Sequence, residues 1–285
     1  MANLIDGKIL SKQIKDALKE NVLLFKQKFN RDITLAVIKV GHDPASEVYV
    51  KNKLKATEYV GMKSLSFSLE ESVSEDEIKN LITTLSEDKS VDGILVQLPL
   101  PKNINEKEVM SLIPPEKDVD GFSAENVGKL MLGEKTIVAC TPFGVLKMIK
   151  STGIDLNGKN TVVIGRSNIV GKPMALLLLR ENCTVTICHS KTTNLKEITK
   201  NADILVAAIG KPGFVTKDMV KEGAVVIDVG INRTANGLVG DVDFDEVKNI
   251  VSYISPVPGG VGPMTIAMLL ENTFICANRR EGVEV

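Results

Sequence analysis

The sequence predicts an α/β protein of two domains, and three observations carry that expectation. Apolar runs of strand length alternate with helix-length segments along the 285 residues. Turns rich in glycine and proline close the runs, and a chain of this length can bury two cores. The third observation is the stretch VVIGRSNIVGKPM at residues 162–174. An apolar run breaks there at a glycine, passes through a short polar turn and enters an apolar block at residues 175–179. This is the pattern of a buried parallel strand, a tight turn and a helix start. Such a turn directs backbone N–H groups and the positive end of a helix at one spot, which suits a phosphate.

In chain order, residues 8–29 form an amphipathic helix with Ile14, Leu18, Val22 and Phe25 on one face. A strand at 33–40 is closed by GHDP, and a helix follows over 45–59. Residues 63–69 are a second strand. Ser74 and Glu77 make a capping box that opens a helix to residue 85. Residues 93–97 are a third strand, stopped by LPLP at 98–101. Strand, helix, strand, helix, strand implies parallel pairing through right-handed crossovers. A second unit starts near 138–142, where Thr141 and Pro142 cap and open a helix to 150. After the 162–164 run come strands at 184–188, 203–208 and 224–229. A turn segment at 256–264 precedes a helix over 265–278, which is expected to return to the first domain. The domains are therefore 1–140 plus a C-terminal helix at 266–285, and 141–265, Rossmann-like with a parallel sheet.

Composition narrows the function classes. Hydrophobic residues make up 44% and charged residues 25%, as in ordinary globular proteins. A net charge of −1 gives no field for nucleic acid or an anionic membrane. Four cysteines without CxxC spacing and only two histidines argue against a metal site. No apolar run reaches the ~18 residues of a membrane span. Asp6 and Lys8 break the first apolar stretch, so no signal peptide is expected. The expectation is a cytoplasmic protein with reduced thiols.

The glycine turn departs from the dinucleotide fingerprint. Glycines are due at 167 and 170, where Ser167 and Val170 stand, and Gly171 comes one residue late. The strand at 184–188 ends in HSK without the acid that holds a free ribose 2′-hydroxyl. Arg166, Ser190 and Lys191 offer donors and positive charge instead, which favours NADP over NAD.

Four further groupings could carry chemistry. Tyr49 and Lys53 lie four apart on a helix, about 6 Å along its axis. A phenol beside an amine can position a substrate and move a proton, whereas a solvated basic face with Lys51 and Lys55 is the plain alternative. Gln97 stands at the carboxyl end of a parallel strand, where open α/β sheets place ligands; a residue satisfied by its own loop is the competing reading. In KDVDGF (117–122) two carboxylates flank a turn, and one can accept paired hydrogen bonds from the 2-amino and N3–H edge of a pterin. A solvated DG turn would show the same letters. In PVPGGVGPMT (256–265) three glycines and three prolines make a rigid loop that a ligand can approach closely.

Together YVKNK (49–53), VQLPLP (96–101), KDVDGF, GRSNIVGKP (165–173) and PVPGGVGPMT resemble the bifunctional methylenetetrahydrofolate dehydrogenase/methenyltetrahydrofolate cyclohydrolase family, in its order and over nearly the whole chain. The resemblance implies two α/β domains flanking a cleft, usually in a homodimer. It implies Lys53 as the catalytic lysine, Tyr49 stacking on the folate, Gln97 supporting the lysine and Asp120 binding the pterin. Val96, Leu98 and the loop residues Pro258, Gly259, Gly260, Val261, Gly262 and Pro263 would contact substrate. Gly165, Arg166, Ser167, Ser190 and Ile231 would hold NADP. The implied reaction oxidises 5,10-methylenetetrahydrofolate with NADP⁺ and hydrolyses the methenyl product to 10-formyltetrahydrofolate. With the chain ending at Val285, no appended formate ligase is expected. A dehydrogenase of similar build without cyclohydrolase activity, acting on another small substrate, is the rival.

Overall fold

A computed structural model of the chain describes residues 1–235 and 237–284. In order, its elements are β1 (Asn3–Leu4), α1 (Gly7–Phe29), β2 (Thr34–Val40), α2 (Pro44–Tyr59), β3 (Lys63–Leu69), α3 (Glu75–Glu87), β4 (Gly93–Val96), α4 (Glu106–Ser111), α5 (Ala124–Met131), α6 (Cys140–Lys150), β5 (Asn160–Ile164), α7 (Gly171–Arg180), β6 (Thr184–Cys188), α8 (Leu195–Thr199), β7 (Ile204–Ala207), a 3-10 turn (Lys217–Met219), β8 (Val225–Asp228), β9 (Asn232–Thr234), β10 (Gly237–Val239), α9 (Phe244–Val247), β11 (Tyr253–Ile254) and α10 (Val261–Arg280). They form two compact units, one of Lys12–Cys140 with Ile266–Val285, the other of Met1–Ser11 with Thr141–Thr265.

The first unit is built on a parallel sheet in the order β3-β2-β4. Every residue of the central β2 (TLAVIKV) is buried, as expected for a parallel strand covered on both faces. Its register sets Val37 opposite Leu95 and Ile38 opposite Val96, so β4 ends beside the end of β2. On α3, Ile78, Ile82 and Leu85 recur at helical spacing and enter a core with Ile38, Ile94 and Val96. The capping box is present, with Glu77 N donating to Ser74 Oγ at 3.2 Å and Ser74 N to Glu77 Oε2 at 2.9 Å. A second core joins Leu18, Val22 and Phe25 of α1 to Leu270 and Ala277 of α10, so the last helix does return to this unit.

The second unit carries a six-stranded parallel sheet in the order β1-β11-β8-β7-β5-β6. The strand order reverses at β5, with β6 laid on one side of it and β7 on the other. Loops diverge at such a point and leave a ligand crevice at the carboxyl ends of the strands. Sequence reasoning placed residues 1–11 with the first unit, but β1 pairs with β11 (Asn3 opposite Tyr253) and Ala2 N donates to Lys248 O at 2.7 Å. Two residues are too few for a periodic signal. Likewise α10 begins at Val261, so Val261, Gly262 and Pro263 form a first helical turn and not loop. Proline is tolerated there because the first-turn N–H has no helical partner.

Candidate active site

In the first unit, α2 is started by Asp43, whose carboxylate accepts from Ser46 N at 2.7 Å, with Pro44 at its first position. Lys53 is buried while Lys51 and Lys55 on either side are exposed, so the solvated-face alternative fails for this lysine. Lys53 Nζ donates to Gln97 Oε1 at 2.9 Å. Gln97 follows β4; its backbone N donates to Ile38 O at 2.8 Å and its Nε2 to Leu98 O at 2.7 Å. That second bond turns the amide oxygen toward the lysine. Tyr49, one turn before Lys53, is half-buried.

The KDVDGF segment divides its charges among three tasks. Lys117 Nζ donates to the carbonyls of Leu85, Ser86 and Asp88 at 2.7–3.0 Å and so caps α3. Asp118 accepts from Gly121 N, Ser123 N and Asn126 Nδ2 and builds the turn. A bridge from Ile94 to Asp118 lays the segment along β4, which brings Asp120 to the carboxyl end of the sheet. Burial pushes the Asp120 carboxyl up to about 6, with the Lys53 charge pulling it down and Asp118 pushing it further up. Asp118 therefore builds the turn, and Asp120 takes no part in those three bonds.

Two neighbours were not singled out from the sequence. Cys140 is buried, its Sγ donating to Val119 O at 3.2 Å and lying in hydrogen-bonding contact with Asp120. Burial and then the Asp120 charge hold its thiol well above the usual range, so it stays neutral. Asn272 of α10 donates to Val119 O and Val138 O at 2.8 and 2.9 Å. Both residues lie more than 130 positions from a partner or carry no motif of their own, so only the fold could disclose them.

In the second unit, Gly165 follows β5 with φ +136°, and a Cβ there would lie 2.3 Å from Ala208 O. A Cβ on Gly171 would lie 2.3 Å from Gly165 O. These two glycines thus allow the close strand–helix approach that the fingerprint's glycines provide. Ser167 replaces the middle one and acts as a cap, its Oγ accepting from Val170 N at 3.1 Å and Gly171 N at 3.3 Å. Those N–H groups are therefore already used, and the hydroxyl proton is what Ser167 can offer a ligand. Gly165 N donates to Cys188 O at 2.9 Å, which sets exposed Arg166 beside exposed Ser190 and Lys191 after β6. Arg166 makes no ion pair among the described residues. Ile231, exposed after β8, lies within 3.8 Å of the Cβ direction of Gly262. Here two buried carboxylates, unsuspected from sequence, organise the loops. Asp228 accepts from Gly230, Asp241 and Val242 N–H groups, and Asp241 from those of Ile209, Gly210 and Lys211. Among the described residues no group of three His, Cys, Asp or Glu could hold a metal ion, and no helix is long and apolar enough to cross a membrane.

Residues 5–120 match the model of the tetrahydrofolate dehydrogenase/cyclohydrolase catalytic domain, and residues 139–281 match that of the family's NAD(P)-binding domain. The chain belongs to this family. It is 61% identical over 273 residues to the bifunctional protein FolD of Agathobacter rectalis, covering 95% of this chain and 98% of the relative. The crystal structure of the bifunctional FolD methylenetetrahydrofolate dehydrogenase/cyclohydrolase of Campylobacter jejuni superposes with a TM-score of 0.96 at 52% identity, over 98% of this chain and 100% of that one. The Trypanosoma brucei dehydrogenase-cyclohydrolase, complexed with NADP cofactor and inhibitor, superposes with a TM-score of 0.94 at 38% identity over 99% of both chains. Membership brings both activities, dehydrogenase and cyclohydrolase, and sets aside the rival without the second.

Of the residues singled out from this family's motifs, the first unit joins Lys53 to Gln97 by a hydrogen bond and Asp120 to Lys53 by their charges, with Tyr49 a turn away and Val96 and Leu98 flanking Gln97. The second unit gathers Gly165, Arg166, Ser167 and Ser190 at one point and Ile231 with Gly262 at another. Pro258, Gly259 and Gly260 form the turn before α10, with Gly260 packed so tightly on Gly7 that a Cβ on Gly7 would lie 1.8 Å from Gly260 O.

Proposed function

We propose that Lys53, Tyr49, Gln97 and Asp120 serve both activities of this enzyme, oxidation of 5,10-methylenetetrahydrofolate to the methenyl cation with NADP⁺ and hydrolysis of that cation to 10-formyltetrahydrofolate. The observation that carries this reading is the buried lysine held by a neutral amide beside an ionisable carboxylate. The Asp120 carboxylate accepts the paired donors of the pterin edge, and Tyr49 lies against the folate ring. Val96 and Leu98 line the same end of the sheet, and the turn Pro258 to Gly260 with the helix start Val261 to Pro263 supplies further substrate contacts.

The second unit, residues 1–11 with 141–265, is the NADP-holding domain, and its groups fit that cofactor. The glycine pair permits close approach of backbone, Arg166 makes no ion pair among the described residues, and no acid stands in the HSK segment after β6 to repel a 2′-phosphate. Arg166 and Ser190 meet that phosphate, while Gly165, Ser167 and Ile231 contact the rest. NADP⁺, when bound, supplies the hydride acceptor, and the donor carbon must come within about 3–3.5 Å of it. Removal of hydride leaves the one-carbon bridge as a cation. Water adds to that carbon and its two protons leave as the formyl C=O forms, one going to N5 as the bond to N5 breaks and one being released, with Lys53 assisting the transfer. Gln97 holds the lysine by a hydrogen bond from a neutral amide and so fixes its position.

A homodimer in the cytoplasm is the working form. Apolar surface at the edge strand β6, where Ile187 is 40% exposed with Leu179 60% exposed nearby, supports self-association. Following absorbance with methylenetetrahydrofolate and NADP⁺ or NAD⁺ tests the reading. NADPH formation without accumulation of methenyl product supports both activities at one set of residues. Persistent methenyl product refutes the cyclohydrolase assignment, and no reduction refutes the whole.

A further inference from the structure

The last helix contributes a buried amide to the carboxylate turn. Asn272 is 1% exposed. Its Nδ2 donates to Val119 O at 2.8 Å and to Val138 O at 2.9 Å, and lies 3.5 Å from Cys140 Sγ. Val119 immediately precedes Asp120, and Val138 stands two residues before Cys140, which itself contacts both Val119 O and Asp120. The two backbone segments are close here, since a Cβ on Gly121 would lie 2.7 Å from Ala139 N and Val138 C. One side-chain nitrogen therefore fastens both segments that present Asp120 and Cys140. The Asn272 Oδ1 is buried without a hydrogen-bond partner among the described residues, a cost to the fold that an apolar side chain would avoid.

We propose that Asn272 is a positioning residue that holds Asp120 at the angle from which it receives the folate. The inference rests on the reading of Asp120 as the folate-binding carboxylate. The groups facing Asp120 are Lys53 from α2, Asp118 from its own segment and Cys140 from α6. Asn272 touches none of the substrate itself; it acts through the carbonyl one residue before Asp120. Paired hydrogen bonds to a carboxylate are directional, and a shift of about 1 Å in a positioned group costs up to ~100-fold.

Steady-state kinetics of full-length Asn272→Leu and Asn272→Ser test this, with Asp120→Asn and Arg280→Met beside them. Arg280 lies on the same helix and likewise donates to backbone carbonyls, those of Val91 and Lys89, away from Asp120. Asn272→Leu is expected to raise KM for methylenetetrahydrofolate about tenfold while KM for NADP⁺ stays within about twofold. Asn272→Ser, which retains one donor, is expected to fall between Asn272→Leu and the parent. Arg280→Met is expected to lower Tm and leave both KM values alone. A folate KM within about twofold of the parent in either folded Asn272 variant, while Asp120→Asn raises it, overturns the proposal and leaves the site reading standing. An unchanged KM in Asp120→Asn brings down both.

Discussion

Lys53 Nζ and Gln97 Oε1 lie 2.9 Å apart, and the other end of the Gln97 amide is fixed by Leu98 O. The lysine is thus aimed by a neutral group that is itself held by its own loop. Removing the amine should separate two functions that the chain combines. Lys53→Met is expected to lower cyclohydrolase turnover by at least ~100-fold, the scale of a lost general acid or base, while the Kd for NADP⁺, read by fluorescence titration, stays at its parent value. Undiminished hydration of the methenyl cation in this variant would remove Lys53 from the mechanism.

Asp120 makes opposite predictions for activity and stability. Its folded carboxyl titrates near 6, against about 3.9 in an unfolded chain. Between those values the folded state holds a proton that the unfolded state has released, so the contribution of this group to stability falls as pH rises through the window and stays low above it. Asp120→Asn is therefore expected to raise Tm at pH 7 relative to the parent and to lose that advantage near pH 4. The same variant should bind folate poorly at every pH, because it has lost the ionised acceptor. Melting curves across this range check the first part, and a Tm difference independent of pH would contradict it.

Most of the fold was legible because its signals are local. The capping box of Ser74 and Glu77, the strand at 63–69 and the amphipathic face with Leu18, Val22 and Phe25 can each be read within one window. The short β1 and β11, the hairpin of β9 and β10, and α4 and α5 were not predicted; two or three residues of strand carry no period. Residues 256–264 read as turn because proline and glycine mark both loops and helix starts, and only the structure shows the helix beginning at Val261. At the site, Lys53 and Gln97 were readable as candidates, but their bond spans 44 positions. Which acid of KDVDGF builds the turn, and that Cys140 and Asn272 meet behind the other, depend on contacts that sequence spacing does not encode.

The proposed role of Arg166 makes a prediction about the choice of nicotinamide cofactor. It is exposed beside Ser190, with no acid in the segment after β6. Arg166→Ala is expected to raise KM for NADP⁺ by roughly tenfold or more, the scale of one charge-assisted phosphate contact, and to change KM for NAD⁺ by less than about twofold. Equal losses for the two cofactors would mean that this guanidinium does not read the 2′-phosphate. Because the contact is at the surface, added salt should narrow the difference between the cofactors in the parent and have little effect in the variant.

Asp92 carries the clearest prediction for stability. It is fully buried, and its Oδ2 accepts from Arg31 Nη1 and Thr34 N, both at 2.9 Å. Its Oδ1 accepts from Arg31 Nη2 at 3.0 Å and Arg280 Nη1 at 2.8 Å. One carboxylate thus ties the start of β2 to the end of α10. Asp92→Ala would leave two guanidiniums facing each other and the Thr34 N–H unpaired in the interior, a loss of about 3–5 kcal/mol for a broken buried pair. Arg31→Met should cost less, since Arg280 continues to neutralise the carboxylate and Glu281, the other partner of Arg31, can turn to water. Urea unfolding of the two variants measures the order. If Arg31→Met proves the more damaging, Asp92 is not the centre of this network, and the attachment of the last helix rests on the apolar contacts of Leu270 and Ala277 instead.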